Sequence, residues 1–231
     1  MAPGLTVVVV TCAARGDAGL SALLRQIDDS GWTAQTLIVS DGPATIATRA
    51  TVSATPVRTG QMRTYWRALA MGAQAAASRG HERFLVLEDD VEFCQNTLEY
   101  IAVSKHDERF QFVSWFDGHA VPAGAPRGLH PCTVRSFICL QAISWPRSTA
   151  LRLLHSPHAV SWSEPHRGDL LVRRILAHGE YAVHVPNLVE HRGAESLCSP
   201  GAKLYGGRVA NNYVGRSFDA LELVGGRGTT P

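Results

Sequence analysis

The sequence predicts an α/β fold with a mixed, mainly parallel sheet flanked by helices, and three observations predict it. Leu5 to Thr11 is apolar and β-branched throughout, as a strand covered on both faces of a parallel sheet is. Leu20, Leu23, Leu24 and Ile27 then recur at helical spacing before a second apolar run at Thr36 to Ser40, which makes a right-handed βαβ unit. Phe84 to Leu87 is a third apolar run, and it leads straight into Glu88, Asp89 and Asp90.

The remaining elements follow in order. Gly31 stops the first helix, and Asp41-Gly42-Pro43 ends the second strand. Gln61 to Arg79 is rich in Ala, Met, Leu and Arg with no proline, and Tyr65, Leu69, Gly72 and Ala76 line one face of a long helix that Gly80 ends. Asn96 caps a helix running through Val103, and Phe110 to Phe116 is a strand. Pro122 to Pro131, with three prolines and two glycines, is a loop or hairpin. Ser136 to Ser144 reads as a strand, and Pro146 opens a helix to Leu154. Asp169 to Ala177 is the last clear helix, and Tyr181 to Val189 closes the sheet. Residues 1–224 are expected to form one domain, and the Gly/Thr-rich residues 225–231 a disordered tail.

Composition excludes several classes. The chain has 231 residues, 45% hydrophobic and 18% charged, enough to fold around a core without covalent staples. Its five cysteines, Cys12, Cys94, Cys132, Cys139 and Cys198, form no CxxC pair and no zinc spacing. No apolar run approaches the roughly 20 residues of a membrane span, and no export leader is visible, so the expected location is cytoplasmic. Net charge is +2, carried by 20 arginines and only two lysines without any block of like charge, so bulk electrostatic binding of nucleic acid is not indicated.

The strongest chemical signal is Glu88-Asp89-Asp90 at a strand end. Adjacent carboxylates repel, and burial raises the cost, so a positive partner is needed, and a divalent cation is the simplest one. In α/β sheets the carboxyl ends of strands open onto the ligand crevice, which is where these acids lie. The alternative is a solvated acidic turn with Asp90 capping the next segment. A second signal is His191 after the Tyr181 to Val189 run, either a ligand beside those acids or a structural histidine. A third is Trp162 to Asp169, where Asp169 or Glu164 is either a general base or a helix cap.

These residues carry a resemblance. From the first strand to about Ser196 the chain resembles the GT-A (Rossmann-like) glycosyltransferases, whose DxD-type motif follows a hydrophobic strand. The Glu88-Asp89-Asp90 form is similar to that of inverting N-acetylglucosaminyltransferases, and Pro186 to Ser196 is similar to the segment with histidine, glycine and serine that closes such domains. The resemblance implies that Asp90 binds Mn²⁺ or Mg²⁺, that Glu88 faces the ribose or base, and that Asp89 contacts the sugar or the metal's water shell. It also implies a further metal or phosphate contact from His191, a general base at Asp169 with Glu164 second, and base and ribose contacts from Thr11 and Asp41, with Arg15 beside them. Asp41-Gly42 is equally explained as a tight turn. Arg58 and Arg63 either reach phosphate or are solvated.

The implied reaction is transfer of a sugar from a nucleotide-sugar, a UDP-sugar foremost, to a hydroxyl or amine acceptor, with inversion. Trp115, Trp145 and Trp162 lie in the half expected to face the acceptor, which could be a glycan, a protein or a base in DNA. The chain lacks the QxxRW segment of processive synthases. Ser196 to Ser217, with Lys203, Arg208 and Arg216, is either a lid over the diphosphate or an ordinary loop. A nucleotidyltransferase is the competing enzyme class, but Cys12 to Asp17 holds one glycine where that class carries a glycine-rich phosphate loop. A non-catalytic nucleotide-sugar-binding module is the remaining alternative.

Overall fold

The computed structural model describes residues 4–32, 34, 36–44, 50–105, 107–162, 167–192 and 209–225. Ten strands run β1 (Thr6–Cys12), β2 (Thr36–Asp41), β3 (Thr51–Ala54), β4 (Arg83–Glu88), β5 (Val91–Phe93), β6 (Phe110–Ser114), β7 (Gly128–Thr133), β8 (Ala142–Pro146), β9 (Glu180–Val185) and β10 (Val189–His191). The helices are α1 (Asp17–Asp29), α2 (Gln61–Ser78), α3 (Thr97–Val103), α4 (Arg147–Leu154), α5 (Pro157–Val160), α6 (Gly168–Ile175) and α7 (Glu222–Gly225). No described helix is long and apolar enough to cross a membrane.

The main sheet has the order β3-β2-β1-β4-β8-β6-β9-β7. β3, β2, β1 and β4 are mutually parallel, β8 runs antiparallel to both β4 and β6, β9 is parallel to β6, and β7 is antiparallel to β9. The fold is therefore mixed α/β, as the sequence predicts.

Both faces of β1 are covered, which is why it reads as a continuous apolar run. Val7 and Val9 pack with Leu20, Leu23 and Ile27 of α1 on one face. Val8 and Val10 pack with Tyr65, Ala68 and Leu69 of α2 on the other. Each fully buried valine contributes about 1.5 to 3 kcal/mol relative to exposure. α2 lies close on β4 because residue 72 is glycine: a Cβ there would overlap the buried Phe84 ring.

Several elements differ from expectation. The apolar stretch Ser136 to Ser144 is not one strand: Val134–Ser136 is a 3-10 turn, and β8 begins only at Ala142. Cys139 between them has φ 130°, a value that no strand tolerates. Tyr181 to Val189 divides into β9 and β10, which belong to different sheets, with a cis Val185-Pro186 bond between them. β9 does not close the sheet either, because the proline-containing β7 takes the edge, where a missing N–H is tolerated. Asn96 precedes α3 but does not cap it; it sits in the left-handed region at φ 55°, and its amide donates to Asp219 at 2.9 Å. The short strands β3 and β5 carry too few residues for a periodicity signal. Within the expected tail, Gly225 ends α7, and residues 226–231 lie outside the described residues.

Candidate active site

From β1 the chain first builds β2 and β3 on one side and then returns through α2 to β4 on the other. Strand order reverses between β1 and β4, so the loops leaving their carboxyl ends diverge and open a crevice. That crevice is open to solvent. Thr11, Cys12 and Arg15 line it from β1 and the turn after it, Asp41 from β2, Gln61 and Thr64 from α2, Arg58 from the approach to α2, Glu88 from β4 and Asp89 from the turn after it.

The three acids have different surroundings. Glu88 accepts a hydrogen bond from Gln61 Nε2 at 2.8 Å. Its burial, followed by the nearby charge of Asp90, pushes its carboxyl up to about 7 against the opposing pull of Arg15, Gln61 and His191. Asp89 accepts from the Thr11 hydroxyl at 2.5 Å and forms an ion pair with Arg15. Burial raises its pKa and the Arg15 charge opposes that. Gly19 in the first turn of α1 allows this close packing, since a Cβ there would lie 3.1 Å from the Asp89 carbonyl oxygen.

Asp90 Oδ2 meets Arg15 Nη1 at 2.8 Å and His191 Nε2 at 3.1 Å. Burial would raise the Asp90 pKa, but the hydrogen bond from His191 and the charge of Arg15 together carry it below the usual carboxylate value. Its other oxygen, Oδ1, is buried with no hydrogen-bond partner among the described residues, as is His191 Nδ1. His191 arrives through the antiparallel pairing of β10 with β5, which sets it opposite Val91, the residue after Asp90. The Arg192 N–H donating to the Asp90 carbonyl at 2.7 Å continues that alignment.

A divalent cation suits part of this donor set. Asp90 Oδ1 is a hard oxygen acceptor lacking a donor, and His191 stands beside it. Among the described residues no group of three His, Cys, Asp or Glu side chains comes together as metal ligands.

Other expected residues are placed less simply. Asp41 accepts from the backbone N–H groups of Thr59 and Gly60, so it organises the turn that opens α2 as well as lining the crevice. Arg58 Nε lies 3.8 Å from Asp41 Oδ2 with the side chain half exposed. Arg63 is exposed on α2 and is not among the crevice-lining residues. Asp169 is buried in the first turn of α6, with Arg167 Nε at 3.5 Å. The start of α6 packs on the start of α2: a Cβ at Gly168 would lie 3.9 Å from Met62 Cα, next to Gln61. Glu164 lies outside the described residues.

Two aromatic expectations are corrected. Trp115 and Trp145 are fully buried, their indole N–H groups bonded to Ser144 Oγ at 2.7 Å and Tyr65 Oη at 3.0 Å, so neither offers a face to an acceptor. Of the proposed lid, residues 196–208, including Lys203 and Arg208, lie outside the described residues. The rest is fastened down: Ala210 N–H donates to Glu190 at 2.9 Å, Asn212 N–H to Asn187 at 3.1 Å, and Arg216 sits 3.5 Å from Glu92. Gln61 and Thr64 are crevice-lining residues that the sequence does not flag; their only sign is their place at the start of the predicted long helix.

No family model matches the chain, and no curated protein does. Among solved structures the chain is similar to the crystal structure of a glycosyltransferase involved in the glycosylation of the major capsid of PBCV-1. The two are 12% identical over 79% of this chain and 82% of that one, with a TM-score of 0.44, too distant for any residue's role to pass from one to the other.

Proposed function

We propose that this chain is a glycosyltransferase that takes a sugar from a nucleotide-sugar, with a divalent cation, Mn²⁺ or Mg²⁺, held at Asp90 and His191. The observation that carries the reading is the buried, donor-free Asp90 Oδ1, next in the chain to the crevice-lining Glu88 and Asp89. When bound, the cation would neutralise charge on the departing diphosphate.

The chain's own residues supply the rest. Thr11, Asp41 and the half-exposed Arg58 line the walls available to a nucleotide. Asp169, at the positive end of α6 and packed toward the start of α2, takes the proton of the acceptor hydroxyl as its oxygen bonds to the anomeric carbon. The bond from that carbon to the diphosphate oxygen breaks, and the electron pair leaves with the diphosphate. Attack opposite the leaving group inverts the anomeric centre.

The experiment is incubation with UDP-, GDP- and TDP-sugars in Mn²⁺, followed by chromatography of the nucleotide products. A glycosyltransferase releases nucleoside diphosphate. Release of sugar 1-phosphate, the leaving group when the nucleoside monophosphate is transferred, would instead identify a nucleotidyltransferase, and binding without any release would identify a non-catalytic module.

A further inference from the structure

The two acids that follow β4 already hold a cation of the protein's own. Arg15 Nη1 is paired with Asp89 Oδ1 and lies 2.8 Å from Asp90 Oδ2. Thr11 donates to Asp89 Oδ2 at 2.5 Å, and His191 Nε2 stands 3.1 Å from Asp90 Oδ2. Three of the four carboxylate oxygens are thereby engaged, and Asp90 Oδ1 alone is left buried without a donor.

A divalent cation on Asp90 would stand within a few ångströms of the Arg15 guanidinium, in a buried setting where like charges are poorly screened. The two cations therefore repel one another. Arg15 is also placed to move. It ends a single 3-10 turn (Ala13–Arg15), is followed by Gly16 at φ 68°, and keeps about a quarter of its side chain exposed (24%). Among the described residues its hydrogen-bond and ion-pair partners are Asp89 and Asp90.

We propose that Arg15 is a tethered counter-cation that holds Asp89 and Asp90 together in the ligand-free protein and leaves them when a divalent cation binds. Metal binding is then an exchange of one cation for another. The proposal rests on the reading of Asp90 as a metal ligand. It makes the apparent metal affinity lower than the intrinsic one by the fraction of molecules in which Arg15 has let go. With a released fraction of roughly 1 to 10%, removing the guanidinium tightens metal binding by about tenfold to a hundredfold.

The test is a titration of Mn²⁺ alone, followed by the electron paramagnetic resonance signal of the free ion, on wild type, Arg15→Gln and Asp90→Asn. Arg15→Gln is expected to bind Mn²⁺ about tenfold to a hundredfold more tightly than wild type, and Asp90→Asn to lose binding. If wild type binds Mn²⁺ and a folded Arg15→Gln binds it equally or less tightly, the exchange is overturned while the metal reading stands. If neither binds Mn²⁺, both are overturned. A second measurement uses the wild type and so does not depend on the variant's folding. The ¹⁵N-arginine Nε–H resonance of Arg15, identified by its absence from Arg15→Lys, is expected to shift as Mg²⁺ saturates the protein. A resonance that stays in place at saturation overturns the exchange.

Discussion

His191 Nε2 stands 3.1 Å from Asp90 Oδ2, although 101 residues of chain separate them. The two-stranded ribbon of β5 and β10 makes this pairing, because its register sets His191 directly opposite Val91. Asp90 and the late histidine are thus brought into contact. Replacing Asp90 with alanine is expected to abolish metal-dependent nucleotide binding and sugar transfer while the protein stays folded, since Arg15 retains Asp89 as a partner. Calorimetric titration of UDP in Mn²⁺, with circular dichroism as the fold control, checks this. Near-normal turnover in the variant, or full wild-type activity in excess EDTA, would remove the case for a metal at Asp90. His191→Ala should weaken Mn²⁺ binding by a smaller factor, and an unmoved midpoint would make the histidine structural.

Stereochemistry tests Asp169. With its carboxylate replaced by an amide, Asp169→Asn should still bind donor but lose transfer by about two to four orders of magnitude. Proton NMR of the first-formed product from an α-linked donor should show a β-linkage. An α-product, or wild-type turnover in the variant, would take the general-base role away from Asp169.

His184 predicts a dependence of stability on pH. Burial is the largest influence on it and pulls its pKa down from 6.5 to about 4, with a hydrogen bond to the Pro186 carbonyl working against that. A histidine with a lowered folded-state pKa binds more protons when unfolded, so its contribution is complete above pH 6.5 and is lost as pH falls toward 4. Between pH 7.5 and 4.5 the loss amounts to about 2 to 3 kcal/mol. Urea unfolding in EDTA at the two pH values measures it. The difference should shrink in His184→Gln, and an unchanged difference would show that His184 is not the titrating group.

Gly72→Ala tests the packing of α2 on β4. In an exposed helix alanine would stabilise by about 1 kcal/mol. At this position its methyl group meets the buried Phe84 ring, and overpacking of this kind costs about 1 to 3 kcal/mol. A lower urea midpoint with an unchanged slope is expected. A higher midpoint would mean that the contact relaxes freely.

The sequence alone determined the elements whose burial is simple. β1, β2 and β4 are covered on both faces and so carry unbroken apolar runs, while α1 and α2 show one apolar face at helical spacing. Those elements carry Thr11, Asp41 and Glu88 and lead straight into Asp89 and Asp90, so that part of the candidate site is legible from local pattern. Tertiary structure decided the rest, because it depends on contacts between residues far apart in the chain. Only the folded chain commits Trp115 and Trp145 to the core, where local sequence cannot distinguish a buried indole from an exposed one. Only the register of β10 on β5 brings His191 to Asp90, and those strands are three residues each, too short for a periodic signal. Nor does local sequence show that Arg15, read as a nucleotide contact, pairs with Asp89 and Asp90. Repulsion among the acids required a positive partner, but the folded backbone determined which one lay within reach.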